Sequence, residues 1–209
     1  MNRPVAILLA CFVVLSVAVA AGWLVPLDAA ATNAMAAIRS PLLTEVAANF
    51  TALGSAPVVA AGVLVAVLYC VASARPRYAL AILGTPVAFL LCSLVKLGVQ
   101  RPRPTEALIV VPATFSFPSG HAAVATALFL TLAVLAAHGE RRTGPRRVII
   151  GAGLAIALIV AWSRVYLGVH YFSDVIGGML LGAAGTVAAL LVVRRADRGE
   201  EAKALSGSQ

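Results

Sequence analysis

Charge is the scarcest feature of this chain. Only 11% of its 209 residues are Asp, Glu, Lys or Arg, and no polar half is set apart that could fold as a separate soluble domain. Acidic residues are rarest, 8 against 16 basic, and histidine occurs 3 times. A metal site built from them has few donors: one Asp and two His on different runs lack both the spacing and the extra carboxylates. Cys11, Cys70 and Cys92 all fall inside apolar runs, where they act as small hydrophobes, so a disulfide framework is excluded.

What is abundant is apolar. Hydrophobic residues make up 61% of the chain, and a span needs ~20 of them to cross ~30 Å of hydrocarbon. Six runs qualify, at 5–25, 54–73, 78–98, 119–137, 147–164 and 172–193. The fold expected is therefore all-α, a polytopic membrane bundle of six transmembrane helices. Residues 1–198 form one domain and 199–209 a disordered cytoplasmic tail. The first run is longer than the core of a cleaved leader and is read as a retained helix.

The net charge of +8 sorts by loop rather than forming a nucleic-acid surface. With the N-terminus inside, Arg3, Arg75, Arg77, Arg141, Arg142, Arg146, Arg147, Arg194, Arg195, Arg198 and Lys203 are cytoplasmic, while Arg39, Lys96, Arg101, Arg103 and Arg164 are not. That asymmetry places both termini in the cytoplasm and the basic loops against anionic lipid. His138, in the basic loop, lies across the membrane from the other two histidines.

Between the first two runs, Leu27, Met35, Ile38, Leu42, Val46 and Phe50 recur mostly three or four apart around Pro41, predicting one or two short interfacial helices. Pro102 and Pro104 stop the third helix just before them, and residues 105–117 form an outer loop long enough to lie over a site. Gly177, Gly178, Gly182 and Gly185 allow the sixth helix to pack closely.

Three polar clusters interrupt the apolar pattern. Lys96 and Arg103 flank the end of the third run, where a cation alone reads as snorkelling to the headgroups. Pro118-Ser119-Gly120-His121 precedes the fourth, where Ser119 is either an ordinary cap or, with the Gly120 amide, a cradle for an anion. Ser163-Arg164 and then His170 and Asp174 lie between the fifth and sixth; four residues apart on a helix, the carboxylate orients the imidazole. In the six-span topology all three clusters occupy outer helix ends. Three cations against one carboxylate suit a phosphate dianion, and ionisable groups there read as functional.

These clusters resemble the three-part signature of the type 2 phosphatidic acid phosphatase (PAP2) superfamily of integral membrane lipid phosphatases. Lys96, Arg103 and Pro104 match its first part, Pro118 to His121 its second, and Ser163, Arg164, His170 and Asp174 its third, with no departure. The resemblance spans about 53–191, and soluble vanadium haloperoxidases share the signature. It implies an active site at the outer ends of helices 3 to 6, with His170 the nucleophile forming a phosphohistidine, Asp174 orienting it and His121 protonating the leaving group. Lys96, Arg103, Ser119, Gly120 and Arg164 would bind phosphate, with no metal and no cofactor. The expected substrate is a phosphorylated lipid in the cell membrane: a polyprenyl diphosphate such as undecaprenyl diphosphate, phosphatidylglycerol phosphate or phosphatidate. The alternative is a non-catalytic lipid-phosphate binding or transport protein.

Overall fold

The computed structural model describes residues 3–111 and 113–206, and side chains up to 195. Among the described residues there are helices and no strands. They run α1 (Arg3–Ala20), α2 (Val25–Ala37), α3 (Pro41–Ala52), α4 (Ala56–Ala72), α5 (Pro76–Ile82), α6 (Gly84–Val99), α7 (Gly120–Ala136), α8 (Thr143–Tyr166) and α9 (Phe172–Ser206).

Every apolar run became helix. Among the described residues four stretches are long and apolar enough to cross a membrane: Arg3–Ala20, Pro76–Val99, Thr143–Tyr166 and Phe172–Arg195. Taking α3 and α4, bent by 44°, as one broken span makes five, and α7 is a shorter apolar helix. The third run divides into α5 and α6 because Pro86 has no N–H to give the carbonyl of Ile82, where α5 ends. α6 stops at Val99, with Gln100 in the left-handed region at φ 50°, just ahead of Pro102 as its sequence predicts. Residues 27–50 form two helices, α2 and α3, each with a proline in its first turn where the missing N–H costs nothing. The segment expected as a tail from 199 starts within α9; residues 207–209, like Pro112 of the outer loop, lie outside the described residues.

α7 is the hub. Its residues Ala122 to Leu128 are all buried, and it packs against α4, α5, α6, α8 and α9. Small side chains make this possible: a Cβ added at Gly178 would press on the Ser119 carbonyl, and one at Gly182 on the Ala123 carbonyl. α9 therefore lies almost backbone to backbone on α7 at the end where the Pro-Ser-Gly-His segment begins. α1 joins the core through Phe12, which stacks on Phe117 with ring centroids 6.0 Å apart. α3 is tied to the end of α8 by the Tyr166 hydroxyl, which accepts from Ser40 N at 3.0 Å and lies 3.2 Å from Thr44 Oγ1. Beyond α8 the chain turns at Gly168, φ +67°, under the carbonyl of Glu106, where any Cβ would collide. That turn delivers His170.

Candidate active site

The start of α7, the end of α8 and the start of α9 meet at one end of the bundle, with the end of α6 and the following loop beside them. The link between α7 and α9 is direct: Ser119 N donates to the backbone oxygen of Asp174 at 2.9 Å. Lys96, Arg103, Gly120, His121, Arg164 and His170 all line one cavity of about 720 Å³. His138 lies at the far end of α7, edge-on to Tyr78 and away from this cavity.

His170 is buried, 3% exposed, in the turn between α8 and α9. Its Nδ1 is 3.4 Å from Asp174 Oδ2, on the next turn of chain, and 3.4 Å from Ser116 Oγ. A carboxylate only accepts, so this contact places the ring proton on Nδ1 and makes Nε2 the accepting nitrogen. Nε2 faces Arg103, whose Nη1 is 3.3 Å away. Burial holds the His170 imidazole below its ordinary value, at about 4, against the opposing pull of Asp174, so the ring is neutral at pH 7.

The Asp174 carboxylate is saturated with donors. Oδ2 accepts from Ser116 Oγ and from Tyr171 N at 2.9 Å, and Oδ1 accepts from Arg101 Nη1 at 2.7 Å. The loop of residues 105–117 is held from the cavity side. The Lys96 ammonium donates to the carbonyls of Phe115 and of Ser116, the latter at 3.1 Å, and its third proton has no protein partner among the described residues. Arg103 donates from Nε to Thr114 O at 2.8 Å, from Nη2 to Thr114 Oγ1 at 2.9 Å and from Nη1 to Val169 O at 2.9 Å. Arg164, 3% exposed, is fixed by one bond from Nη1 to Thr51 Oγ1 at 2.7 Å.

Five buried side-chain polar atoms lack a protein partner among the described residues, and two of them belong to the signature, Arg164 Nε and Ser119 Oγ. Ser119 occupies the N-cap position of α7, yet its hydroxyl is not spent on capping, and a Cβ at Gly120 would meet nothing within 4 Å. A hydroxyl, a guanidinium N–H and open backbone at a helix start are donors of the kind an oxyanion accepts from. By contrast Ser163, though within the signature, bonds its own helix at Val160 O, 2.7 Å away. Among the described residues, no three His, Cys, Asp or Glu side chains gather as metal ligands.

The cavity changes character along its length. Away from the cations its walls are mostly apolar, from Ala56 to Val67 of α4 and at Leu83, Pro86, Phe89 and Val124, interrupted by Thr85 and Ser93. Twelve residues of helix, eleven rises of 1.5 Å each, make this trough ~16 Å long.

The sequence-predicted residues thus meet in one place, whereas Asp28, Thr51, Arg101, Ser116 and Ser173 are contributors that sequence reasoning missed. A usable signal existed for Asp28: an acid within an apolar segment is expected to have a partner.

A family model described as the PAP2 superfamily matches residues 76–198. Over 191 residues the chain is 32% identical to phosphatidylglycerophosphatase B of Bacillus subtilis, covering 87% of this chain and 90% of that one. An undecaprenyl-diphosphatase of Sulfolobus acidocaldarius is 40% identical over 80 residues, 38% of this chain and 34% of its own. The crystal structure of a transmembrane PAP2 type phosphatidylglycerolphosphate phosphatase from Bacillus subtilis superposes with a TM-score of 0.78 at 29% identity, covering 95% of this chain and 98% of that one. With the fold, the signature and a near full-length relative in agreement, the chain belongs to the PAP2 superfamily and is an integral membrane lipid phosphatase.

Proposed function

We propose that this phosphatase acts on lipid phosphates or diphosphates without a metal, through a phosphohistidine on His170. The carrying observation is the state of the His170 ring: Nδ1 is held by Asp174 while Nε2 faces Arg103 at the polar end of the cavity. In the first step the Nε2 lone pair attacks phosphorus and the bond to the lipid oxygen or to the leaving phosphate breaks. His121, charged with the help of the bound phosphate's own negative charge, gives a proton to the departing oxygen. In the second step water attacks the phosphohistidine, His121 takes the water's proton, and inorganic phosphate leaves as the imidazole is restored.

Lys96, Arg103 and Arg164, with Ser119 Oγ and the Gly120 amide, bind the equatorial oxygens. They bind most strongly when charge accumulates there in the transition state. Preplaced cations and donors perform the neutralising task that a metal performs elsewhere, and Asp174 stabilises the charge that develops on the ring.

Six spans, with both termini in the cytoplasm and the active site at the outer ends of helices 3 to 6, remain the topology we infer. Six apolar runs that all fold as helices and the concentration of arginine in alternate loops support it. The membrane is then the cell membrane, and the lipid enters sideways with its chain in the α4 trough. The near full-length relative named phosphatidylglycerophosphatase B supports a glycerophospholipid monophosphate as substrate; the shorter match to an undecaprenyl-diphosphatase supports a polyprenyl diphosphate.

The test is phosphate release by detergent-purified protein, with EDTA present, from undecaprenyl diphosphate, phosphatidylglycerol phosphate and phosphatidate. Release that EDTA spares and His170→Ala abolishes is expected. Release that EDTA eliminates, or that survives His170→Ala, contradicts the proposal.

A further inference from the structure

Behind the nucleophile lies a buried ionic cluster that the phosphate-binding groups do not include. Its centre is Arg101, whose guanidinium forks between two carboxylates: Nη1 donates to Asp174 Oδ1 at 2.7 Å and Nη2 to Asp28 Oδ2 at 2.6 Å. The guanidinium also stacks on Tyr171, its central carbon 4.1 Å from the ring centroid. Asp28, on α2, is 1% exposed and Asp174 is fully buried. Asp28 also grips the neighbour of Asp174: Ser173 N donates to its Oδ1 at 2.9 Å and Ser173 Oγ to its Oδ2 at 2.6 Å. Arg101 Nη1 reaches the same hydroxyl at 2.8 Å. The first turn of α9 is thereby clamped to α2, directly through Ser173 and by way of Arg101 through Asp174. Asp28 lies outside residues 76–198, so the clamp comes from a part of the chain that the family model does not match.

We propose that Asp28 and Arg101 are the positioning pair of the reaction, acting through Asp174 on His170. The inference rests on the reading of His170 as nucleophile. The geometric part is that a planar fork fixes two carboxylates at once, so Asp174 is locked where Oδ2 meets the imidazole. The electrostatic part is a charge count. Arg101 alone would cancel Asp174 and leave no net negative charge behind a ring that becomes positive as Nε2 bonds to phosphorus. Asp28 draws on the same guanidinium, and the three groups together carry a net charge of minus one. Buried this deeply, that charge is little screened by water and acts on the ring at close range.

The test is the steady-state kinetics of full-length, detergent-purified Asp28→Asn, which keeps the shape and removes the charge. Partners that orient a metal ligand are worth about 10- to 100-fold, and a loss of that order is expected here, in kcat with KM little changed. In an Asp174→Asn background the same substitution should cost less than about 3-fold, because the residue through which it acts is already neutral. Asp28→Glu, which returns the charge, should recover part of the loss. A kcat for Asp28→Asn within about 2-fold of the parent overturns the proposal, as does an equal loss in both backgrounds, since a merely structural role predicts additivity. Arg101→Lys is the second variant should Asp28→Asn not fold. It keeps the charge but cannot fork, and an unchanged kcat there also overturns the proposal. Activity surviving in His170→Ala would instead overturn the reading on which it rests.

Discussion

Replacing His121 with alanine should separate two classes of substrate. His121 and His170 line the same cavity, one at the start of α7 and the other just ahead of α9, with Arg103 and Arg164 also on its wall. A proton donor there matters in proportion to how poor the leaving group is. A lipid alkoxide resembles hydroxide, whose conjugate acid has a pKa of ~15.7, so it cannot leave at neutral pH without a proton. A lipid phosphate leaving from a diphosphate has a second pKa of about 6 and departs as a stable anion. Positioned general acids contribute roughly 10²- to 10⁴-fold. His121→Ala should therefore lower kcat by that range on phosphatidylglycerol phosphate, and by less than about 10-fold on undecaprenyl diphosphate. A Cβ at Gly54 would touch the His121 Cβ and carbonyl, atoms that alanine keeps, so the substitution leaves that wall intact. The assay is phosphate release from each lipid at saturating concentration, with unfolding followed in parallel. Equal losses on both substrates would refute the leaving-group argument.

Three further outcomes follow from particular contacts. Gly182→Val places a side chain against the Ala123 carbonyl and should cost about 1–3 kcal/mol by overpacking, read as a fall in Tm in detergent. An unchanged Tm would mean α7 and α9 are not so closely apposed. Thr51→Val removes the hydroxyl bonded to Arg164 Nη1. Leaving that buried donor unpaired should cost about 1–3 kcal/mol and raise KM, and a KM equal to the parent's would show that Arg164 needs no such support. Because burial holds the His170 imidazole at about 4, the ring stays neutral as pH falls from 7 and gains its proton only near that value. Nitrogen-15 spectra of histidine-labelled protein should show His170 still neutral at pH 5.5, and a midpoint near 6.5 would contradict the geometry.

Much of the scaffold was legible because a membrane span has few alternatives. Once about twenty apolar residues must become helix, alternate ends must meet, so Lys96, Arg103, Ser119, His121, Arg164 and His170 could be assigned to one end before any contact was known. What periodicity could not reveal is the packing that lies sideways to it. Asp28 is a lone acid on a short helix, 145 residues ahead of the Ser173 it binds, and nothing in its surroundings marks the partner. Arg101 read only as one more outer cation, because its fork depends on two carboxylates from different helices. Ser116 read as a loop serine, and its bond to Asp174 depends on how the outer loop folds back over Lys96. The break between α5 and α6 was encoded by Pro86, but apolar content alone joined the two.

The most direct measurement of the central claim is a search for the phosphoenzyme. Protein mixed with a saturating lipid phosphate in EDTA, quenched within one turnover and digested, should yield a peptide containing His170 that carries one added phosphoryl group, and His170→Ala should yield none. A full burst of released phosphate with no phosphoryl group on that peptide, or with the group on another residue, would contradict the account.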